Sequence, residues 1–178
     1  MKLGFLTNYS ENIVRFAAND ESFECLEIFG PPDSWVGDTG KSKANRSYAK
    51  ALLTENELTI ASFLSTKLPQ LQESGRRLST KLDYLDRLMT VYNDMDVNIL
   101  TGPGPMGYDP KHSLTENITL YRKVYSRVTK VCEANGVRIA FENWPGHGPF
   151  AEGGNLSITP EAWALMFNAV PSEYIGLE

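Results

Sequence analysis

Nothing in this chain of 178 residues approaches the ~20 consecutive apolar residues that a membrane span requires. The first strand pattern begins at Lys2, and no leader-like segment precedes it. The four Asn-x-Ser/Thr triplets, starting at Asn8, Asn45, Asn117 and Asn155, therefore read as chance matches, and the expected compartment is the cytoplasm. Cysteine is scarce. Cys25 and Cys132 stand alone and far apart, and the expectation is two buried, reduced thiols rather than a bridge. Clustered Lys and Arg are missing too, and the net charge is −5, which argues against a duplex nucleic-acid surface. There is no internal repeat, no low-complexity run and no convincing linker, so residues 1–178 are expected to form a single domain.

What is present is organised around residues 136–163, GVRIAFENWPGHGPFAEGGNLSITPEAW. Val137, Ile139 and Phe141 alternate with Arg138, Ala140 and Glu142, the period of two that marks a strand. One phase is apolar and must meet a packed layer. The other carries Glu142 at the strand's C-terminal end. A loop with four glycines and two prolines follows, and Thr159-Pro160 then offers an N-cap and a first helical position, with Glu161 in the first turn. A carboxylate where a strand opens into a long loop before a helix stands where parallel α/β folds place their chemistry.

The rest of the chain repeats that unit. Strand patterns at 2–7, 23–29, 58–64, 97–101, 137–142 and 174–178 alternate with helical ones. Asn8 with Glu11 suggests a capping box for the first helix, with Ile13, Val14, Phe16 and Ala17 as its apolar face. The second helix is predicted over 43–54, with Tyr48, Ala51 and Leu52 inward. The third runs from about Leu71 and carries Leu78, Leu82, Leu85, Leu88, Met89 and Tyr92 at helical spacing. The fourth starts at a Ser113/Glu116 capping box, buries Tyr121, Val124, Tyr125, Val128, Val131 and Cys132, and stops at Asn135-Gly136. Residues 102–107 fit GxGxxG after a strand, but two prolines remove donors a pyrophosphate would need, so the segment reads as a plain βα loop. Five βα units and a sixth strand imply parallel strands covered by helices. Eight such units usually need ~250 residues, so the expectation is a partial (β/α)8 barrel, C-terminally incomplete; an open doubly wound sheet is the alternative.

FENWPG, GGNLSITPEAW and AVPSEYIGLE resemble the sugar phosphate isomerase/epimerase family, the xylose isomerase-like TIM barrels, and CLEIF and GVRIAFEN are similar to its second and fifth strands. The resemblance implies a divalent metal at the C-terminal mouth (Mn, Mg, Co or Zn), held by Glu, Asp, His and Glu on strands five to eight. Only the first ligand maps here, onto Glu142, so the ligand set in this chain is incomplete. The resemblance implies metal-dependent isomerisation or epimerisation of a sugar or sugar phosphate, in which a proton moves beside a carbonyl while the metal stabilises the enolate-like charge. Glu142 would be both metal ligand and proton-transfer carboxylate. The ketose epimerases usually carry a second Glu shortly afterwards, and Glu152 lies too far along to match it.

Four further residues are candidates for substrate contact: Glu27, Asn143, Trp144 and His147. For Glu27, a structural pairing with an Arg such as Arg138 stays open beside substrate binding. For Trp144, loop packing stays open beside stacking on a sugar. Two other functional readings stand beside the isomerase. One is an inactive fragment of such a barrel, the parent alone being the enzyme. The other is an endonuclease IV-like phosphodiesterase, whose zinc cluster needs several His at strand ends where this chain has His112 and His147 in loops. The expected partners are a small-molecule sugar and a second copy of the chain, with no nucleic acid and no membrane.

Overall fold

The computed structural model describes residues 2–20, 22–145, 148 and 150–178. Among these residues six strands alternate with five α-helices. In chain order they are β1 (Gly4–Thr7), α1 (Glu11–Ala18), β2 (Cys25–Ile28), α2 (Gly40–Glu55), β3 (Thr59–Leu64), α3 (Gly75–Asp94), β4 (Ile99–Pro103), α4 (Leu114–Asn135), β5 (Arg138–Glu142), α5 (Pro160–Ala169) and β6 (Ile175–Leu177). A short 3₁₀ turn, Asp33–Trp35, interrupts the connection from β2 to α2. The strands form one parallel sheet in the order β1-β2-β3-β4-β5-β6, the arrangement of five βα units and a sixth strand of a TIM barrel. Two compact units divide the chain: residues 1–65 with 87–100, and residues 66–86 with 101–178.

In the first unit, alternation along β1 and β2 separates two faces. Leu26 and Ile28 are buried, and Phe5 meets Phe16 and Phe23 edge-on, with ring centroids 6.3 and 4.9 Å away. The helix α1 starts two residues later than its expected capping box. Asn8 stays in the loop, and the Ser10 hydroxyl accepts from the Ile13 amide at 3.2 Å. That shift turns Val14 and Ala17 inward and leaves Phe16 60% exposed. In α2 the inward residues are Ala49, Leu52 and Leu53, while Tyr48 and Ala51 face solvent. The reason is Arg46. Its guanidinium is buried between α2, the 3₁₀ turn and the end of α3, and it rotates the helix one position from the purely apolar reading. Nε donates to Asp94 Oδ2 at 2.7 Å, and Nη1 donates to the carbonyls of Trp35 and, at 2.8 Å, Gly37.

Truncating Arg46 to Met would leave those two carbonyls without their donor and Asp94 without its partner. The expected loss is about 2 kcal/mol, seen as a lower urea midpoint. Arg46→Lys should recover little of it, because one ammonium cannot span three acceptors in different directions.

In the second unit α4 supplies most of the core. Its ends follow local chemistry: Ser113 and Glu116 form a reciprocal capping box, and Gly136 at φ 68° closes the helix in the left-handed region. Tyr121 and Tyr125 stack at 4.9 Å, and Tyr125 meets Phe141 of β5 edge-on at 5.5 Å. Cys25 and Cys132 are both free and buried, and burial pushes the Cys132 thiol up to about 12.

Among the described residues β1 and β6 end the strand order, each with a single neighbour; Leu6 and Leu177 are exposed on them, and Leu3 is exposed just before β1. Unpaired edges template association. The chain is expected to sediment as a dimer or larger at roughly micromolar to millimolar concentration, the range in which such edges pair. A monomer with one sharp unfolding transition would contradict this.

Candidate functional site

Glu142 is the last residue of β5 and is half-buried. Ile139 and Phe141, the buried phase of the strand, meet α4, so alternation turns the Glu142 side chain to the other face. What holds this strand end is Asn155, which is fully buried in the loop before α5. Its side-chain amide donates to the carbonyl of Glu142 at 3.0 Å and to that of Trp144 at 2.9 Å. Its Oδ1 accepts from the Ser157 amide and the Ser157 hydroxyl, both at 2.8 Å. The indole of Trp163 on α5 donates to the Ser157 carbonyl at 2.9 Å and ties the helix to the same knot.

The loop after β4 is part of that arrangement. The Gly107 amide donates to the carbonyls of Gly153 and Gly154, the Gly153 amide returns a bond to Tyr108 at 2.7 Å, and the Leu156 amide donates to Pro105. On the other side, the Leu71 amide donates to the Met106 carbonyl at 2.9 Å, and the Gln72 amide nitrogen bonds the Gly107 carbonyl. Gly104 has to be glycine: a Cβ there would overlap Ser157 Oγ and Asn155 Oδ1 and lie 2.8 Å from Ser157 Cβ. The GxGxxG-like segment thus spends backbone groups on neighbouring loops.

Asn143 and Trp144 directly follow Glu142 and both are exposed, Trp144 by 48%. Among the described residues the Trp144 carbonyl is bound into the loop by Asn155, and the side chain is exposed. His147 lies outside the described residues. Glu152 is exposed. A buried acid that the sequence pattern did not single out, Glu73, stands just before α3, with Oε1 3.1 Å from Arg77 Nε.

Glu27 belongs to the first unit. It is half-buried on β2, on the face opposite Leu26 and Ile28, and its Oε1 accepts from the Ser62 hydroxyl at 2.7 Å. Ser62 itself is buried. A register shift brings the two together: Leu26 lies opposite Ile60, yet the next residue, Glu27, lies opposite Ser62. Ala61 is the extra residue of a β-bulge, so the strict alternation expected for β3 breaks there.

Among the described residues, no three His, Cys, Asp or Glu side chains come together to hold a metal ion. Glu142 offers oxygen donors of the kind a divalent cation takes, but no described partners complete the set.

A family profile described as "Xylose isomerase-like TIM barrel" matches residues 16–178. The chain belongs to that family. No individually curated protein sequence matches it. Among solved structures, D-psicose 3-epimerase from Clostridium cellulolyticum H10, crystallised with D-tagatose, superposes with a TM-score of 0.73 at 15% identity, over 99% of this chain and 62% of that one. The probable 3-DHS dehydratase AsbF of Bacillus anthracis gives 0.72 at 14% identity, over 100% and 62%. IolI with a bound zinc atom gives 0.69 at 14%, over 99% and 62%. At such identities the likeness shows the xylose isomerase-like fold. The chain spans 62% of the length of each of these three proteins.

Proposed function

We propose that this chain contributes to a sugar isomerase or epimerase that moves a proton beside the carbonyl of a sugar or sugar phosphate. Its family supports the reaction class, and Glu142 is the observation that carries it: a half-buried carboxylate at the end of β5, on the face away from α4, with its backbone pinned by Asn155. A C–H next to a carbonyl is weakly acidic, and a fixed carboxylate within reach can take that proton and return it. Holding the strand end still matters because proton transfer tolerates little displacement. Trp144 supplies an exposed apolar face suited to the C–H side of a sugar, and Asn143 a hydrogen-bonding amide. Glu27, in the first unit, is proposed in its own right as a substrate-binding carboxylate. His147 is proposed as a further substrate contact.

A divalent cation is part of the family expectation, and IolI binds zinc. The described residues of this chain do not compose such a centre, so no step here runs through one. The test is deuterium exchange from solvent into a ketohexose, D-fructose, by a polypeptide that carries this chain with the complete barrel. Incorporation at the carbon beside the carbonyl supports the reading. Its absence across ketoses, aldoses and their phosphates would overturn it.

A further inference from the structure

Asn135-Gly136 is the only Asn-Gly step in the chain, and it stands at the joint between α4 and β5. The turn requires the glycine, which holds φ 68° and lets the helix stop. The same residue leaves its amide nitrogen open. Gly136 is exposed, nothing lies within 4 Å of where a Cβ would stand, and its N–H meets the Glu133 carbonyl at a long 3.3 Å. The Asn135 side chain is held more firmly. Its Nδ2 donates to the Val131 carbonyl at 2.9 Å and to Asp86 Oδ1 at 3.0 Å, and so ties the end of α4 to α3. Both N–H groups of the carboxamide are used, and the Val131 bond draws it back along the helix, away from the Gly136 nitrogen.

When those two bonds open, the Gly136 nitrogen and Asn135 Cγ can close a five-membered ring, a reaction favoured by proximity within one chain. The nitrogen forms a bond to Cγ, the Cγ–Nδ2 bond breaks, and Nδ2 leaves as ammonia with the Gly136 amide proton. Water then opens the cyclic imide. Opening at Cγ gives aspartate. Opening at the main-chain carbonyl gives isoaspartate, with the backbone routed through the former side chain. Aspartate sets a carboxylate oxygen where Nδ2 stood, against Asp86 and the Val131 carbonyl, at the negative end of the α4 dipole. Isoaspartate adds a methylene to the backbone just before β5. We propose that Asn135 is a site of spontaneous deamidation, gated by its bond to Asp86, whose conversion turns a tie between α3 and α4 into a repulsion at the entrance to β5. The site stands independently of the sugar reading above.

The test ages the 178-residue chain at neutral pH and physiological temperature, folded and in urea. Each asparagine is followed by peptide mass spectrometry and by isoaspartyl methylation. Asn135 should convert ahead of every other asparagine, roughly thirtyfold more slowly in the folded chain than in urea, the scale of two hydrogen bonds. Asp86→Ala should recover about fivefold of that, the scale of one bond. The other asparagines should keep their rates in this variant, which separates the gate from general unfolding. Asn135→Asp, equivalent to one product, should lower the urea midpoint, and adding Asp86→Asn should restore part of it by supplying a donor to the new carboxylate. Another asparagine converting first, or none converting in either folded chain over the expected interval, overturns the site. Equal rates at Asn135 in parent and Asp86→Ala overturn the gate. An unchanged urea midpoint in Asn135→Asp overturns the loss of the tie.

Discussion

Glu142→Gln is expected to reduce proton exchange into a ketose by about 10²–10⁴-fold, the usual contribution of a positioned general acid-base group. The substitution keeps the size and planarity of the side chain and removes only its capacity to hold a proton reversibly. Among the described residues the strand end is anchored through its backbone: Asn155 binds the Glu142 carbonyl and the neighbouring strand pairs with β5. The variant should therefore unfold at the same denaturant concentration as the parent. The loss should fall on kcat and kcat/KM together, as for an interaction made only in the transition state. The experiment needs a polypeptide carrying this chain with the complete barrel, assayed by solvent deuterium incorporation. Unchanged exchange would remove Glu142 from the chemistry. A variant that loses activity and stability together would make it a structural residue instead.

Asn155→Ala is expected to have the largest effect on stability, about 4 kcal/mol. The side chain makes four bonds in a fully buried setting, to the carbonyls of Glu142 and Trp144 and from the amide and hydroxyl of Ser157. Each buried group left without a partner costs about 1–3 kcal/mol, and partial relaxation of the loop recovers some of it. Asn155→Asp should be no better. It keeps the acceptor for Ser157 but loses both donors, and it brings a charge against two carbonyl oxygens. Urea unfolding of the two variants measures the loss, and hydrogen exchange should show it concentrated at 104–108 and 153–157. Retained stability in both would mean that the loop backbone bonds alone hold this region.

Much of the architecture could be read locally. The Ser113/Glu116 box, the Asn135-Gly136 stop and the Thr159-Pro160 start involve residues within one helical turn of each other, and all three stand as the pattern suggested. So does the alternation that buries Ile139 and Phe141. The errors have a common origin. At α1, Ser10 competed with Asn8 as a cap, and two similar side chains two residues apart cannot be ranked from composition. At α2, a buried Arg replaced an apolar residue on the inner face, and its partners lie 9, 11 and 48 residues away.

The candidate site was legible only in part. Glu142 and Glu27 stand out by strand phase, whereas Ser62 and Asn155 depend on relationships that periodicity cannot carry. A bulge is invisible in LTIASFL, although two adjacent buried-type residues after an alternating start, Ser62 and Phe63, hint at a change of phase. Asn155 looked like a chance glycosylation triplet. Its actual work joins it to backbone 11 and 13 residues earlier, and the only local hint was a polar side chain between two glycines and a leucine.

The bonds among residues 70–72, 104–108 and 153–157 bear on how such a barrel can diversify. βα loops are commonly regarded as interchangeable cassettes that acquire new specificities independently. Here a length change after β5 would tear bonds from the loop after β4, and a replacement after β4 must keep a glycine at 104 to clear Ser157 and Asn155. These segments are bonded as a set. A chimera built by swapping one of them from a relative should misfold, while a crossover that carries all three together should be tolerated, so the unit of recombination in this half of the barrel is larger than a single βα module.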